Sequence, residues 1–183
     1  MSITKESLRE RLLATRNSLL PNQIVILSDL ILEKIRIHPK FISSNSIFLY
    51  SSFGSEVLTS SLIDCAKKDG KEVFLPVLTK NSELEFHLFE SFSKMKKGKF
   101  GILEPTSKIK STTSSDLIIV PGVGFDLSLH RLGYGKGYYD KFLKNISSYK
   151  IGICFDFQII SKIPILAHDQ KMDEIISEKR IVN

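Results

Sequence analysis

Three consecutive segments decide the fold: Asn45-Ser-Ile-Phe-Leu-Tyr50, then Ser51-Ser-Phe-Gly-Ser-Glu56, and after an intervening helical pattern Lys71-Glu-Val-Phe-Leu-Pro76. The first and third are short apolar runs rich in aromatic and branched residues, the mark of buried strands. Residues 57–68 between them carry a helical pattern. Strand, loop, helix, strand is a βαβ unit, whose two strands lie parallel. Working outward, Asp116-Leu-Ile-Ile-Val120 and Lys150-Ile-Gly-Ile-Cys-Phe155 read as further buried strands, and Asp173-Glu-Ile-Ile-Ser177 as a last one. Leu84-Glu-Phe-His-Leu-Phe89 alternates and reads as an edge strand. Upstream, residues 3–20 read as a helix with Leu8, Leu12 and Leu19 on one face, ended by Pro21. A second helix with the stripe Ile24, Leu27, Ile31 and Ile35 is closed by Pro39. Residues 91–115, rich in Lys, Ser and Thr, read as mostly loop, and a helix starts near Tyr138. The expectation is one α/β domain over residues 1–183. It is three-layer α/β/α around a mostly parallel sheet, with its site beyond the carboxyl ends of the strands.

The bulk composition agrees. A chain of 183 residues buries about 70% of its unfolded surface, enough for stability without a disulfide or metal staple. Hydrophobic residues at 42% and charged residues at 25% exclude disorder. The 26 Lys and Arg against 20 Asp and Glu give a net charge of +6, which points to an anionic partner. Cys65 and Cys154 form no CxxC pair, so a zinc ribbon or dithiol motif is not available, and so few cysteines fit a reducing cytoplasm. The amino terminus has no apolar signal region. The longest uncharged run, Phe41 to Ser55, is too rich in serine to span a membrane.

The chemistry concentrates in Val120-Pro-Gly-Val-Gly-Phe-Asp126 and His130-Arg-Leu-Gly-Tyr-Gly-Lys-Gly-Tyr-Tyr-Asp140. Gly133, Gly135 and Gly137 alternate just before the helix near Tyr138. Glycines let backbone N–H groups approach an anion, and Arg131 and Lys136 add positive charge. The spacing matches neither a Walker A loop nor the dinucleotide fingerprint. A tight turn is the plain alternative to a phosphate cradle. Asp140 reads equally as a helix-start acid or as a magnesium ligand. On the first helix Lys5, Arg9 and Arg16 fall beside Leu12 rather than opposite it. Cations on that inward side either snorkel around the core edge or meet a bound polyphosphate.

Taken together these segments resemble the 5-formyltetrahydrofolate cyclo-ligase (methenyltetrahydrofolate synthetase) family. The match rests on Arg131-Leu-Gly-Tyr-Gly-Lys-Gly-Tyr-Tyr-Asp-Lys-Phe-Leu143 preceded by Pro121-Gly-Val-Gly-Phe-Asp126. Four weaker segments follow the family's order: Lys5-x-x-x-Arg9, the strand-loop carrying Glu56, Gly101-Ile-Leu-Glu-Pro105, and His168-Asp-Gln-Lys-Met-Asp173. The chain departs from many relatives in carrying Lys136, and at Tyr134, where some carry arginine.

The resemblance implies a fold similar to sugar-phosphate isomerases and CoA transferases. It implies ATP- and magnesium-dependent closure of 5-formyltetrahydrofolate to 5,10-methenyltetrahydrofolate, releasing ADP and phosphate. By position, Lys5, Arg9, Arg131, Leu132, Gly133, Tyr134, Gly135, Lys136, Gly137, Tyr138 and Tyr139 would bind ATP. Glu56, Tyr134, Gly135, Lys136, Gly137 and Tyr138 would bind the folate, Asp140 and Asp169 would hold Mg2+, and Arg131 and Lys136 would be catalytic. The expected partners are ATP and a reduced folate, its polyglutamated form included, with no nucleic acid and no membrane. The expected state is a cytoplasmic monomer or weak homodimer. The alternative is a related α/β enzyme acting on another phosphorylated small molecule. A nucleic-acid binder is disfavoured because no recognition motif is present. His38, His87 and His168 lack metal spacing, Cys65 and Cys154 read as core, and Tyr50 and Phe53 divide between packing and stacking on the pterin. Lys94, Lys96, Lys97, Lys99, Lys108 and Lys110 read as a solvated loop around the single acid Glu104, with a folate polyglutamate tail as their testable partner.

Overall fold

The computed structural model describes residues 4–111 and 114–183. Chain order gives α1 (Lys5–Asn17), α2 (Pro21–Arg36), α3 (Pro39–Ser43), β1 (Ser46–Phe48), α4 (Ser60–Lys68), β2 (Glu72–Leu78) and β3 (Leu84–Leu88). The hairpin β4 (Met95–Lys97) and β5 (Leu103–Pro105) follows, then β6 (Leu117–Pro121), β7 (Gly124–Asp126) and β8 (Arg131–Leu132). The chain ends with α5 (Tyr138–Leu143), β9 (Tyr149–Ile153), β10 (Ile159–Ile160), β11 (Glu174–Ile176) and β12 (Ile181–Val182).

The main sheet has seven strands in the order β12-β11-β9-β6-β1-β2-β3. The strands from β11 to β2 are parallel, and β12 and β3 close the two edges antiparallel. Within the parallel set the chain starts in the middle at β1, runs outward to β2, then returns to β6 on the other side. The order therefore reverses between β1 and β6. At such a switch point the connections leave in opposite directions and open a crevice at the carboxyl ends.

Side chains alternate across this sheet, as the pleat requires. Ile47, Leu49, Val73, Leu75, Ile119 and Ile151 pack under α2, α3 and α4. Phe48, Phe74, Ile118, Val120 and Ile175 point the other way, toward Leu143 and Phe142 of α5 and Phe125 of β7. The three-layer expectation holds, although one outer layer is thin. A six-residue helix and a small sheet, β10-β7-β8, share that face. Phe125 reaches the sheet because Gly152 carries no side chain: a Cβ there would lie 2.5 Å from the Phe125 ring. Helix α1 belongs to neither layer. Its Leu8 and Leu12 pack on Val123, Leu132 and Ile163, across the carboxyl end of the sheet.

Three expectations about elements need correction. Pro21 and Pro39 do not stop helices; each begins one, at the first position, where a missing N–H leaves no hydrogen bond unmade. The first helix ends at Asn17, so Leu19 lies beyond it. Residues 91–115 are more than loop. They form the β4–β5 hairpin, and the chain around Ile109 then runs along β3, with Leu88 N donating to Ile109 O at 2.8 Å.

Candidate active site

A cavity of about 510 Å³ opens at the switch point, between the chain leaving β1 at Tyr50 and the chain leaving β6 at Pro121. It is lined by every residue that the family resemblance assigns to ATP, folate or metal, from Lys5 and Arg9 of α1 through Glu56 and the 131–140 loop to Asp169.

The glycine loop is built around two arginines. Arg9 Nε donates to Gly133 O at 2.8 Å, and its guanidinium carbon lies 3.4 Å from where a Cβ at Gly135 would sit. A Cβ at Gly133 would lie 2.7 Å from the Arg131 guanidinium. Gly135 and Gly137 adopt φ of +93° and +69°, which side chains resist. The helix behind the loop is short, so the loop backbone and the cations, rather than a helix dipole, make this end of the cavity electropositive. Lys136 is exposed at its mouth.

Two carboxylates face these cations, each already paired. Asp169 Oδ2 accepts from Lys5 Nζ at 2.5 Å and from Leu166 N at 2.7 Å. Burial pushes this carboxyl up, but the two hydrogen bonds and the Lys5 charge together hold it below the ordinary aspartate range. Asp140 Oδ2 accepts from Arg131 at 3.0 Å, while Asp140 Oδ1 and Arg131 Nε are buried without a hydrogen-bond partner among the described residues. A buried carboxylate oxygen left open costs free energy unless a ligand completes it. No group of three or more His, Cys, Asp or Glu is arranged for a metal among the described residues. A two-carboxylate donor set does fit magnesium, which keeps several waters and takes its remaining oxygens from phosphate.

The wall around Glu56 is different. Glu56 is 6% exposed, with Oε1 accepting from the Tyr134 hydroxyl at 2.9 Å and Oε2 from Phe53 N at 3.2 Å. Burial raises its carboxyl, opposed by the Arg16 charge and these hydrogen bonds. Burial and the Glu56 charge push the Tyr134 phenol up to about 12, so it stays protonated and donates. Phe53 is exposed beside the Tyr134 ring, whereas Tyr50 is core, its hydroxyl bonded to Val57 O at 2.9 Å. Glu104, Lys99, Phe100 and Ile102 of the 91–115 segment form another wall. Glu104 Oε1 accepts from Leu78 N at 3.2 Å, which ties the β4–β5 hairpin to β2.

With this geometry in view, the model of the 5-formyltetrahydrofolate cyclo-ligase family matches residues 1–178. The chain belongs to that family. Among cyclo-ligases it is similar to a probable 5-formyltetrahydrofolate cyclo-ligase of Schizosaccharomyces pombe, 33% identical over 201 aligned residues that take in all of this chain and 98% of the relative. It is 31% identical to the 5-formyltetrahydrofolate cyclo-ligase of Mus musculus, with 95% of this chain and 93% of the relative covered. The NMR structure of Aquifex aeolicus 5,10-methenyltetrahydrofolate synthetase superposes with a TM-score of 0.88 at 33% identity, covering 98% of this chain and 92% of that one. Like these cyclo-ligases, the chain carries a mostly parallel α/β sheet.

The residues set aside in the sequence divide. His38 bonds Glu174 and His87 bonds Glu85, while His168 lines the cavity. Cys154 is buried and Cys65 half-buried, both free. Two of the six lysines have acid partners beyond Glu104: Lys94 with Glu90 at 3.3 Å and Lys110 with Glu85 at 3.2 Å. The inward cations of α1 do not act together. Lys5 and Arg9 line the cavity, but Arg16 turns to Tyr134, and no polyphosphate role follows for it. Phe100 and Glu104 were missed as wall residues. They sit on strands and turns too short to show a period, and only the Gly101-Ile-Leu-Glu-Pro105 segment hinted at them.

Proposed function

We propose that this cavity is where ATP, magnesium and 5-formyltetrahydrofolate meet. Family membership makes the chain a ligase of folate metabolism that converts 5-formyltetrahydrofolate to 5,10-methenyltetrahydrofolate, with ATP use implied. The reading of the site is carried by one observation: the cations Lys5, Arg9 and Arg131 and the buried acceptor Glu56 line one and the same cavity.

The chemistry needs both kinds of group. The formyl group is an amide whose oxygen leaves poorly. Transfer of the γ-phosphoryl group to that oxygen converts it to a leaving group, with ADP released. The N10 amine then attacks the same carbon, loses its proton, and phosphate departs as the ring closes. No enzyme nucleophile is required, and phosphoryl transfer depends chiefly on positioning and charge neutralisation. Lys5, Arg9 and the 131–139 loop hold the triphosphate, and Arg131 and Lys136 neutralise the charge that moves with the transferred group. Asp140 and Asp169 would hold magnesium, which when bound would supply positive charge against the phosphate oxygens. Glu56 accepts N–H groups of the folate, and Tyr134 to Tyr138 form the shared wall between the two substrates.

Lys99 at the cavity mouth, with exposed Lys96 and Lys97 on the adjoining strand, supports a path for a polyglutamate tail. Two free cysteines fit a reducing cytoplasm. Among the described residues no helix is long and apolar enough to cross a membrane.

The test is spectroscopic. Purified protein with 5-formyltetrahydrofolate and excess Mg-ATP produces the methenyl absorbance, and Asp140→Ala abolishes that turnover while leaving most of the thermal stability. A flat absorbance trace overturns the reading, and an active Asp140→Ala variant overturns the metal assignment.

A further inference from the structure

We propose that Arg16 is a positioning residue of the folate end. From behind the cavity wall it holds the Tyr134 hydroxyl against Glu56, and so fixes Glu56 as the acceptor for substrate N–H groups. The inference rests on the reading of Glu56 as a folate ligand and assigns the element that supports it.

The argument starts on α1. Its buried residues are Leu8, Leu12 and Arg16, spaced four apart. Two leucines and an arginine thus form one stripe, and a third leucine would complete it at no cost to the pattern. Arg16 is nevertheless 4% exposed, and its hydrogen bonds go to hydroxyls rather than to a carboxylate: NH2 to Tyr134 Oη at 2.5 Å and Nε to Ser55 Oγ at 3.1 Å. The Ser55 hydroxyl donates to Asn17 Oδ1 at 2.6 Å, which leaves its lone pairs turned to Arg16. The guanidinium also lies over the Tyr134 ring, 5.7 Å from its centroid. A buried charge without a direct counter-ion is costly, so packing alone gives no account of it.

The chain of donors supplies one. Arg16 donates to the Tyr134 oxygen, whose own proton can then point only at Glu56 Oε1, 2.9 Å away. Tyr134 is 42% exposed on a loop, so without Arg16 its ring has few fixed contacts. The second Glu56 oxygen is held by Phe53 N. The carboxylate plane is thereby set from two sides, and the positive charge of Arg16 opposes the burial that would protonate it. Arg16 does not line the cavity and so does not touch substrate.

Arg16→Leu completes the apolar stripe and removes the charge. The expected result is unchanged or raised thermal stability, a KM for ATP within about twofold of wild type, and a KM for 5-formyltetrahydrofolate raised roughly tenfold, the scale of one hydrogen bond to a charged group. The acid limb of kcat/KM for the folate moves to higher pH, because Glu56 loses the neighbour that favours its ionised form. Arg16→Leu combined with Tyr134→Arg returns a guanidinium beside Glu56 from the loop side and moves the limb back. If Arg16→Leu misfolds, Arg16→Lys is measured instead. It keeps the charge without the two-pronged donor, so the limb stays while the folate KM rises. A limb and folate KM that stay at wild-type values in a folded Arg16→Leu protein overturn the inference. A wild-type protein that shows no turnover, or whose Glu56→Gln variant keeps its folate KM, overturns the site reading beneath it instead.

Discussion

Single residues here do conflicting jobs, and the conflict is measurable. Burial raises the Glu56 carboxyl in the native protein. A raised acid favours the fold when protonated, so its contribution is complete below the ordinary carboxylate value and is lost as pH rises through the native one. Glu56→Gln fixes the neutral form. It should melt higher than wild type at pH 7–8 by a few degrees, a difference that vanishes near pH 4, while the folate KM rises about tenfold or more. Thermal melts across that range, beside initial rates, decide it; equal melting at pH 8 would show that the buried charge costs nothing. The two carboxylates proposed for magnesium make a second case. In the free protein Lys5 neutralises Asp169 and Arg131 neutralises Asp140. ATP alone would draw the cations off and strand half-buried carboxylates, whereas Mg-ATP would satisfy both sets. Asp169→Asn releases Lys5, so metal-free ATP should bind it more tightly than wild type, while Mg-ATP binds more weakly. Calorimetric titrations in EDTA and in excess Mg2+ read the two signs; a shift in the same direction under both conditions would refute the exchange.

At the scale of elements, what could be read in the chain depended on how each element is held. β1, β2, β6, β9 and β11 are central strands, and their continuous apolar runs announced them. The small sheet and the β4–β5 hairpin have strands of two or three residues, too short for any period. They exist because they dock: Phe125 enters the space above Gly152, and Glu104 pins its hairpin to Leu78 N. Arg16 shows the same limit inside a helix. Its inward direction followed from the 100° turn per residue, but its partner Tyr134 is 118 residues away, where no local pattern reaches. Helix α1 is itself seated by a glycine, since a Cβ at Gly124 would lie 2.6 Å from Leu12 Cδ1 and 3.3 Å from Gln158 O. Gly124→Ala should therefore push α1 outward, lower stability by about 1–3 kcal/mol, the range of core overpacking, and raise the KM for ATP through Lys5 and Arg9 more than the KM for folate. Adding Leu12→Ala makes room again and should restore part of the ATP KM. Denaturant titrations and substrate kinetics on the two variants test it, and a double variant no better than the single would show that α1 is not seated there.

For the whole molecule, the net charge of +6 resolves into groups with separate jobs. Lys5, Arg9 and Arg131 face the cavity, and Arg16 serves Glu56 from behind it. Lys94 and Lys110 are matched by surface acids. Lys96 and Lys97 stay exposed on β4, and Lys99 stands where that hairpin meets the cavity mouth. Exposed lysines near a mouth act over about a Debye length, near 8 Å at physiological ionic strength, so they favour an anion tethered there far more than one in bulk solution. A polyglutamate tail leaving the cavity is such an anion, with one carboxylate for each added residue. Replacing Lys96, Lys97 and Lys99 by glutamate together should leave the KM for monoglutamated 5-formyltetrahydrofolate within about threefold and erase most of the affinity advantage of the polyglutamated form. In the wild-type protein that advantage should shrink as salt rises from 50 to 500 mM, because exposed charges are screened and lose their reach. An advantage that survives both the charge reversal and the salt would place the tail on another face of the molecule.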